Sequence, residues 1–411
     1  MNEYSRLSRT RREQEIKKKK KSKIRRIFLL IIFLLVLYGG YTLFNLFMNL
    51  NNGYKESENT VEVDPNFKQF SVLIMGIDQN DSRASEGQTR ENSRTDSLIY
   101  LAINKENKRM DMVSIPRDSL SLMRNKEDKH KSSSYFFDKI THAHAYGGVD
   151  GTIESVHNLL NAPINFYVVI NFKAFQKVVD SLGGIELYVP FDMVEQNSEG
   201  YSGTVKLKKG WQTLNGEEAL AFSRSRYYDS DIERGQRQLQ VLHATIDKAK
   251  GLNAISKINE FISITGDNVT HNMNTKQITS AASIFAKNDM QIVAHRIGGY
   301  DVNMGGVYYY YPKPSHLLYI SSILNKALGN SIPSSNDILN IHYQGYILPL
   351  TNQYSLGTKK PASTLYRPAN YIRFAPEDMI QNIPERLNEN DMNNDPTVSN
   401  ENKPEKQQER N

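Results

Sequence analysis

The 411-residue chain predicts an α/β fold, with a mixed sheet flanked by helices, and two observations lead to this prediction. Short apolar runs rich in Val, Ile and Leu recur between residues 70 and 190 and are typical of buried strands. Segments whose apolar residues recur at helical spacing alternate with these runs, and such alternation is typical of layered α/β domains.

The predicted strands are short, and two of them form a pair around the turn-forming residues Asn104–Asn107. In chain order the strands are Val72–Ile77, Ser97–Ile103, Met110–Ile115, Phe166–Asn171 and Ile185–Val189. The predicted helices alternate with them, and the second helix ends at the pair Gly183-Gly184, a typical helix stop. The helices span residues 150–160, Phe172–Leu182, Glu217–Phe222, Gln236–Lys250, 253–264, 275–287 and 315–327.

The net charge of +6 comes from the N-terminal tail, because residues 1–26 hold twelve Lys/Arg and three acids whereas the rest is slightly acidic. This distribution argues against nucleic-acid binding by the whole chain and leaves a nucleic-acid-binding arm as the minor alternative for the tail. Residues 27–47 are almost wholly apolar. A helix of that length reaches about 32 Å, enough to cross a bilayer.

Basic residues precede this apolar segment and acidic residues follow it, so the positive-inside rule places the tail in the cytoplasm. The sequence therefore predicts a single-pass cell-membrane protein whose main domain lies outside the cell. The chain has no cysteine, which suits a large core without disulfides and excludes thiolate metal ligands. The predicted parts are a basic tail (1–26), a transmembrane helix (27–47), a linker (48–67), a main domain (68–330), a C-terminal extension (331–384) and a disordered tail (385–411).

Four polar clusters lie at or near the ends of predicted elements, where α/β sheets expose functional groups. Each cluster alone has an ordinary structural explanation, such as a turn or a salt bridge at a strand start. Together they favour a shared functional site. The clusters are Gly76-Ile77-Asp78, Ser93–Asp96, Ser114–Asp118 and Ser223–Gln238.

Two carboxylates in these clusters, Asp78 and Asp96, form an oxygen donor set that suits Mg²⁺ or Mn²⁺. Mg²⁺ keeps several waters and bridges phosphate oxygens, so this pair points to phosphoryl chemistry. The clusters also supply arginines, whose planar guanidinium matches phosphate oxygens two at a time. These arginines are Arg94, Arg117, Arg224 and Arg226.

A third set of polar residues is predicted to share one stripe of a helix. Arg234, Arg237 and Gln238 fall at positions i, i+3 and i+4 of a predicted helical segment. The stripe would lie near the helix N-terminus, where the helix dipole and the unbonded N–H groups favour anions.

The order, spacing and topology of these motifs resemble the LytR-CpsA-Psr family. Besides the four clusters, the resemblance rests on the N-terminal span, on Lys139–Ala143 leading to Gly147-Gly148, and on Leu182–Ile185. It covers residues 70–245 with specific motifs and extends more loosely to about residue 325. Within the family, the chain resembles staphylococcal cell-wall glycopolymer ligases with a C-terminal extension.

The resemblance implies a Mg²⁺-dependent extracytoplasmic phosphotransferase of Gram-positive envelopes. Such an enzyme moves a phosphoglycan, of the wall teichoic acid or capsule type, from a polyprenyl-pyrophosphate carrier to a peptidoglycan hydroxyl. By motif, Asp78 and Asp96 match the metal-site acids and, with Arg94 and Arg117, the catalytic residues. The pyrophosphate contacts that it implies are Arg94, Arg117, Arg224, Arg226, Arg234, Arg237 and Gln238. The family holds the polyprenyl tail in an apolar pocket between helices and sheet.

Two other functions remain open. A polyprenyl-pyrophosphate phosphatase would use water in place of the sugar hydroxyl, and a surface sensor or regulator would bind lipid-linked anions without turnover. Two acids together with several arginines favour turnover, because a binding protein has less use for a metal site.

Three aromatic features have mainly structural interpretations. His142 and His144 have the spacing of two ligands on one strand face, but no third ligand is evident for a zinc site. Trp211, the only tryptophan, is predicted to lie in the core. The run Tyr308–Tyr311 is predicted to form a strand with alternate rings buried, although the rings could instead stack on sugars.

Overall fold

The computed structural model describes residues 53–63, 68–78, 93–124, 135–225, 231–250, 268–286, 290–304 and 306–341. The chain divides into two units, Met1–Asn51 and Asn52–Asn411, and the described residues all belong to the second. The predicted basic tail, the transmembrane helix, the helix at 253–264 and the disordered tail lie outside the described residues. No helix of the described ranges is long and apolar enough to cross a membrane.

Strands and helices alternate along the described chain. The strands are β1 (Gln69–Ile77), β2 (Thr95–Asn104), β3 (Arg109–Ile115), β4 (Leu120–Arg124), β5 (Tyr135–Lys139), β6 (Phe166–Asn171), β7 (Ile185–Val189), β8 (Met193–Glu195), β9 (Val205–Leu207), β10 (Gly210–Leu214), β11 (Val269–His271), β12 (Gln291–Arg296), β13 (Gly299–Met304) and β14 (Val307–Pro312). The helices are α1 (Ala143–Leu160), α2 (Phe172–Ser181), α3 (Gly216–Arg224), α4 (Asp231–Lys250), α5 (Thr275–Ala286) and α6 (Pro314–Ala327).

The centre is a six-stranded sheet in the order β11-β6-β1-β2-β3-β12. The pairs β1–β6 and β3–β12 are parallel, whereas β1–β2, β2–β3 and β6–β11 are antiparallel. This mixed sheet confirms the predicted fold class. All five predicted strands are present, and so is every predicted helix that falls on described residues.

Each face of the sheet is covered by its own pair of helices. Leu73, Met75 and Ile77 of β1 belong to the core that contains apolar residues of α1 and α6, whereas Phe70 and Val72 belong to the core that contains residues of α4 and α5. Full burial of such a side chain contributes about 1.5–3 kcal/mol. A register slip of one residue would exchange the two sets, so this alternation specifies the register.

Helix α3 packs against α2. The first turn of α3 is a capping box, in which Asn215 Oδ1 accepts from the Glu218 N–H and Glu218 Oε2 accepts from the Asn215 N–H, each at 2.9 Å. Gly216 packs directly on α2, because a Cβ atom there would overlap the backbone of Gln176. These contacts fix the N-terminal end of α3, and the helix then sets the position of its last residue, Arg224.

Two aromatic predictions need correction. Trp211 is 49 % exposed rather than in the core, because β10 pairs only with β7 in a two-stranded sheet and one face of that sheet meets solvent. Its ring meets Tyr188 edge-on, with the centroids 5.7 Å apart. Tyr308–Tyr311 does form a strand, β14, but burial increases along it instead of alternating, because Tyr311 joins a core cluster with Leu120.

The described chain stays packed beyond residue 330. Ile338 and Asn340 have no exposed surface. Asn340 Oδ1 accepts from the Leu122 N–H at 2.8 Å, and its Nδ2 donates to the Leu120 carbonyl at 3.3 Å. The first residues of the predicted C-terminal extension are thus hydrogen-bonded to β4.

Candidate functional site

Four of the predicted site residues lie at one end of the central sheet, which we call the site edge. The ends of β1, β3 and β6 and the start of β2 meet there, as the strand directions require. Asp78 follows β1, Arg94 precedes β2, Asp96 is near the start of β2, and Arg117 follows β3. The sheet therefore brings together residues that are far apart in the chain.

A β-bulge separates Asp96 from the regular pairing of β1 and β2. Gly76 pairs with Ser97, but the next residue, Ile77, pairs with Thr95, so Asp96 is the extra residue. A bulge re-aims side chains relative to the regular alternation of a strand. The Asp78 N–H donates to the Arg94 carbonyl at 3.4 Å, so the main chain of Asp78 lies beside the residue two positions before Asp96.

An alternating series of charged side chains extends from Asp96 along the site edge. Arg117 Nη1 lies 2.7 Å from Asp96 Oδ1, and Arg117 Nε lies 3.4 Å from Asp118 Oδ2. Lys139 Nζ lies 3.0 Å from Asp118 Oδ1 and also 5.6 Å from the ring centroid of Tyr309. The ion pairs hold two cations in defined positions beside the bulge.

Lys139 was not among the site residues that the sequence predicted. It is the last residue of β5, and β5 pairs with β4 so that Lys139 faces Leu120, two residues beyond Asp118. A signal was present, because Lys139 opens the motif Lys139–Ala143 and stands at a strand end like the four clusters. That strand could not be recognised from its five residues, which lack apolar alternation.

The segment after β5 is fastened to the same edge. The Thr141 N–H donates to the Arg117 carbonyl at 3.0 Å, and Thr141 Oγ1 donates to the Thr95 carbonyl at 2.7 Å. His144 Nδ1 lies 2.9 Å from the Ser93 carbonyl oxygen. His142 ends a 3₁₀ turn and His144 lies in the first turn of α1, so the two histidines do not lie on one strand.

The arginines of the last cluster approach the site edge from α3 and α4. The Arg224 guanidinium carbon lies 4.2 Å from the ring centroid of Phe172, which directly follows β6. Arg226 falls on residues 226–230, outside the described residues. Arg234 and Arg237, both in α4, are only 4 % and 3 % exposed.

Arg237 and Gln238 both bind protein groups, Arg237 at the end of α3 and Gln238 near the start of β2. Arg237 donates from Nε to the Phe222 carbonyl at 3.0 Å and from Nη2 to the Ser225 carbonyl at 2.6 Å, which stabilises the end of α3. Gln238 accepts from Ser97 Oγ at 3.0 Å and donates to the Asp96 carbonyl at 3.4 Å. The predicted helical stripe is present, while the predicted contacts of Arg237 and Gln238 with pyrophosphate stay predictions.

The donor atoms at the site edge define which metal fits. Asp78 is buried and the Asp96 side chain is 26 % exposed, and both offer only carboxylate oxygens. Such a set fits Mg²⁺ or Mn²⁺ better than softer metals. In the described part of the chain, no three His, Asp or Glu side chains group as metal ligands.

Positive charge exceeds negative charge around these acids, which favours a polyanionic ligand. Planar guanidinium groups dominate, and they suit the paired oxygens of phosphates. The cationic residues at or near the site edge are Arg94, Arg117, Lys139, Arg224, Arg234 and Arg237.

Comparison with known proteins identifies relatives that match about two thirds of the chain or more. The model of the LytR_cpsA_psr family matches residues 40–326. An uncharacterized protein of Staphylococcus aureus is 39 % identical over 294 residues, which are 71 % of this chain and 70 % of that protein. The Bacillus subtilis polyisoprenyl-teichoic acid–peptidoglycan teichoic acid transferase TagT is 36 % identical over 295 residues, 69 % of this chain and 88 % of that protein.

A solved structure shares the fold. The structure of TagT bound to LI-WTA matches with a TM-score of 0.51 at 34 % sequence identity, and the match covers 66 % of this chain and 94 % of that chain. The chain therefore shares its fold with TagT, whose structure was solved with LI-WTA bound.

Proposed function

The chain belongs to the LytR_cpsA_psr family, and from this membership and the geometry of the site edge we propose that it is a glycan phosphotransferase. It moves a phosphoglycan, of the wall teichoic acid or capsule type, from a polyprenyl-pyrophosphate carrier to a peptidoglycan hydroxyl. Polyprenyl phosphate leaves. The relative TagT is named as a teichoic acid transferase acting on peptidoglycan, which supports this assignment.

The observation that carries the proposal is the Arg117–Asp96 ion pair at the bulge, with Lys139 on the far side of Asp118. Negative charge increases on the bridging oxygen as a pyrophosphate bond breaks. Cations that are already held in place by carboxylates stabilise that charge without reorganising during the reaction.

We propose that Arg117 and Lys139 bind the pyrophosphate together with further polar residues, most of them arginines. Each guanidinium can bind two phosphate oxygens at once, which fixes the phosphorus relative to the acceptor. The proposed contacts are Arg94, Arg117, Arg224, Arg226, Arg234, Arg237 and Gln238, with Lys139 in addition. Arg237 also holds the end of α3 through its bonds to the Phe222 and Ser225 carbonyls.

Asp78 and Asp96 are the proposed ligands of Mg²⁺, or of Mn²⁺ in its place. Their all-oxygen donor set supports this proposal. When bound, the ion supplies positive charge to phosphate oxygens. The hydrogen bond from Arg117 Nη1 to Asp96 Oδ1 fixes the orientation of the Asp96 carboxylate.

The polyprenyl tail is proposed to lie between the sheet and helices α4 and α5. The residues at this interface include several that are apolar yet only partly buried, which is unusual in a closed core and suits contact with a long hydrocarbon. These residues are Ile74, Val168, Leu242, Ile246, Met273, Ala281 and Ile292. The arginines of α4 stand at the N-terminal end of the same helix.

The site must face the outer surface of the membrane for this reaction, because peptidoglycan and the lipid carrier meet there. We propose a single-pass cell-membrane protein with its basic tail, residues 1–26, in the cytoplasm. Protease added to wall-stripped cells should remove everything after about residue 50 and spare the tail. A main domain that survives in intact cells and is cut only after lysis would contradict this topology.

A direct transfer assay tests the function and the metal together. The full-length protein in detergent, given Mg²⁺, a lipid-pyrophosphate glycan and peptidoglycan fragments, should form a phosphodiester-linked product detectable by mass. Chelator should stop product formation, and added Mg²⁺ or Mn²⁺ should restore it, because two carboxylates and water supply the proposed ligands. Equal activity in excess chelator would remove the metal from the mechanism.

The same assay separates the two alternative functions. Free phosphoglycan in place of the linked product would indicate the phosphatase, with water as the nucleophile. Tight lipid binding with neither product would indicate a sensor or regulator.

A further inference from the structure

A histidine–aspartate pair, His142 and Asp138, lies next to the site edge and has no role in the proposed function above. His142 Nδ1 is 2.8 Å from Asp138 Oδ2, and the Tyr146 hydroxyl donates to the same oxygen at 3.0 Å. The side chains of His142 and Asp138 are 21 % and 17 % exposed, so solvent reaches an oriented imidazole. Because Nδ1 of the His142 ring faces Asp138, the other ring nitrogen, Nε2, points away from Asp138.

The main chain around His142 places this pair beside the catalytic residues. The preceding residue, Thr141, bonds to the Arg117 and Thr95 carbonyls, and His144 bonds to the Ser93 carbonyl. Ser93 and Thr95 flank Arg94. The neighbours of His142 in the chain, Thr141 and His144, are therefore hydrogen-bonded to the two residues that flank Arg94. Arg94 is one of the proposed pyrophosphate contacts.

We propose that His142 is the general base that takes the proton from the acceptor hydroxyl, with Asp138 as its positioning residue. The inference rests on the proposed function. The Asp138 carboxylate accepts the Nδ1 proton, which fixes the tautomer whose Nε2 carries the lone pair and stabilises the imidazolium that forms. The same division of roles operates in other histidine–carboxylate pairs.

The proposed step conserves atoms and charge. The acceptor oxygen forms a bond to the phosphorus of the glycan phosphate while its proton passes to His142 Nε2. The bond between that phosphorus and the bridging oxygen breaks, and the oxygen leaves with the electron pair as polyprenyl phosphate. The glycan is then joined through a phosphodiester, and the imidazolium returns its proton to water.

Other candidate bases at the site edge have competing bonds. Asp78 and Asp96 are the proposed metal ligands, and Asp118 is paired with Arg117 and Lys139. His144 is 3 % exposed, and its Nδ1 is hydrogen-bonded to a carbonyl, so an acceptor cannot reach it. His142 combines exposure with a carboxylate partner.

Asp138 stays ionised at neutral pH, as the pair requires. Burial raises the pKa of the Asp138 carboxyl, but hydrogen bonds from His142 and from the Lys139 N–H outweigh burial and leave that pKa below its ordinary value. Burial and Asp138 raise the pKa of the Tyr146 hydroxyl, whereas Arg94 acts in the opposite direction. The charged or titratable groups facing the pair are Arg94, Lys139, Tyr146 and Tyr309.

The test uses the full-length protein, the lipid-pyrophosphate glycan and peptidoglycan fragments. His142→Gln should lower kcat about 10²–10⁴-fold, the usual contribution of a general base, with lipid affinity unchanged. Added imidazole should restore part of the turnover of His142→Ala, which a purely structural histidine would not allow. The matched control is His157→Gln, since His157 lies in the last turn of α1 and bonds to the Ala162 carbonyl.

The pH profile gives a second, independent readout. A general base accepts a proton only while it is unprotonated, so wild-type kcat should fall toward acidic pH. In His142→Gln this acidic limb should disappear. Asp138→Asn should give an intermediate rate, because the tautomer is no longer fixed.

The outcomes separate the inference from the function on which it rests. Transfer by His142→Gln within about threefold of wild type, with the acidic limb intact, would overturn the assignment. If neither variant folds, a wild-type profile that lacks the acidic limb overturns it. If the wild-type protein makes no linked product, the proposed function fails and the base assignment fails with it.

Discussion

Replacement of Arg117 by alanine should lower the transfer rate by about 10²–10³-fold, the scale of losing one preorganised donor. Arg117 is held by Asp96 at 2.7 Å and by Asp118 at 3.4 Å, so its charge is in place before the pyrophosphate bond breaks. Lipid affinity should fall much less, because the polyprenyl tail contributes apolar burial independently. Product formation and lipid affinity are to be measured on the same preparation.

Two comparisons sharpen this result. Arg117→Lys should recover only part of the rate, because an ammonium group cannot reproduce the bidentate guanidinium. Arg124→Ala is the matched control, since Arg124 lies at the far end of β4 with Glu154 3.9 Å away. Full turnover in Arg117→Ala would remove Arg117 from the site, and an affinity loss that lysine fully repairs would favour the sensor function.

Replacement of Asp111 by alanine should lower the free energy of unfolding by about 3–5 kcal/mol, the cost of removing one partner from a buried ion pair. Asp111 accepts from Arg109 Nη2 and Nε at 2.6 and 2.8 Å and lies 2.7 Å from His295 Nε2. The Asp111 and His295 side chains are 1 % and 2 % exposed. Alanine would leave the buried His295 and the half-buried Arg109 without their carboxylate, and urea unfolding at pH 7 would measure the cost.

The same variant has a predictable pH dependence. Burial raises the pKa of Asp111, but His295 and Arg109 outweigh it and hold that pKa below its ordinary value. The stabilisation is therefore complete above the unfolded value, about 3.9, and is lost as the pH falls through the lower folded value. The gap between wild type and Asp111→Ala should narrow only below about pH 4.

An exposed ion pair provides the control for this measurement. Lys68 and Glu106 lie 2.8 Å apart, but their side chains are 51 % and 54 % exposed. Glu106→Ala should cost less than about 1 kcal/mol, because water and salt screen the pair. An Asp111→Ala cost no larger than that of Glu106→Ala would show that burial adds nothing to the network.

Local patterns were sufficient for most of the fold. Phe166–Asn171 and Ile185–Val189 were predicted with the bounds that the structure shows, because apolar runs end there at polar or glycine-rich positions. The early start of α1 was missed, since Gly148 adopts a non-helical conformation (φ 62°, ψ −148°) within it. Trp211 was misplaced because its exposure depends on which strands pair with β10, and no local pattern reveals that pairing.

For the candidate site, too, the sequence predicted what local patterns determine and missed what tertiary packing determines. Strand ends could be read from the sequence, and their meeting at one edge follows from strand direction. The bond between Ser97 and Gln238 joins residues 141 positions apart, and the bonds of Arg237 depend on how α3 and α4 pack. Such contacts are decided by tertiary packing, so the sequence predicted which residues are polar but not which carbonyls they would bind.

Asn340 has a consequence for how this protein avoids self-association. Its side chain occupies the Leu122 N–H and the Leu120 carbonyl, the main-chain groups through which β4 could otherwise recruit a strand from another molecule. Exposed strand edges are templates for aggregation, and proteins commonly cover them. The segment after α6 thus covers this part of β4 with residues of the same chain.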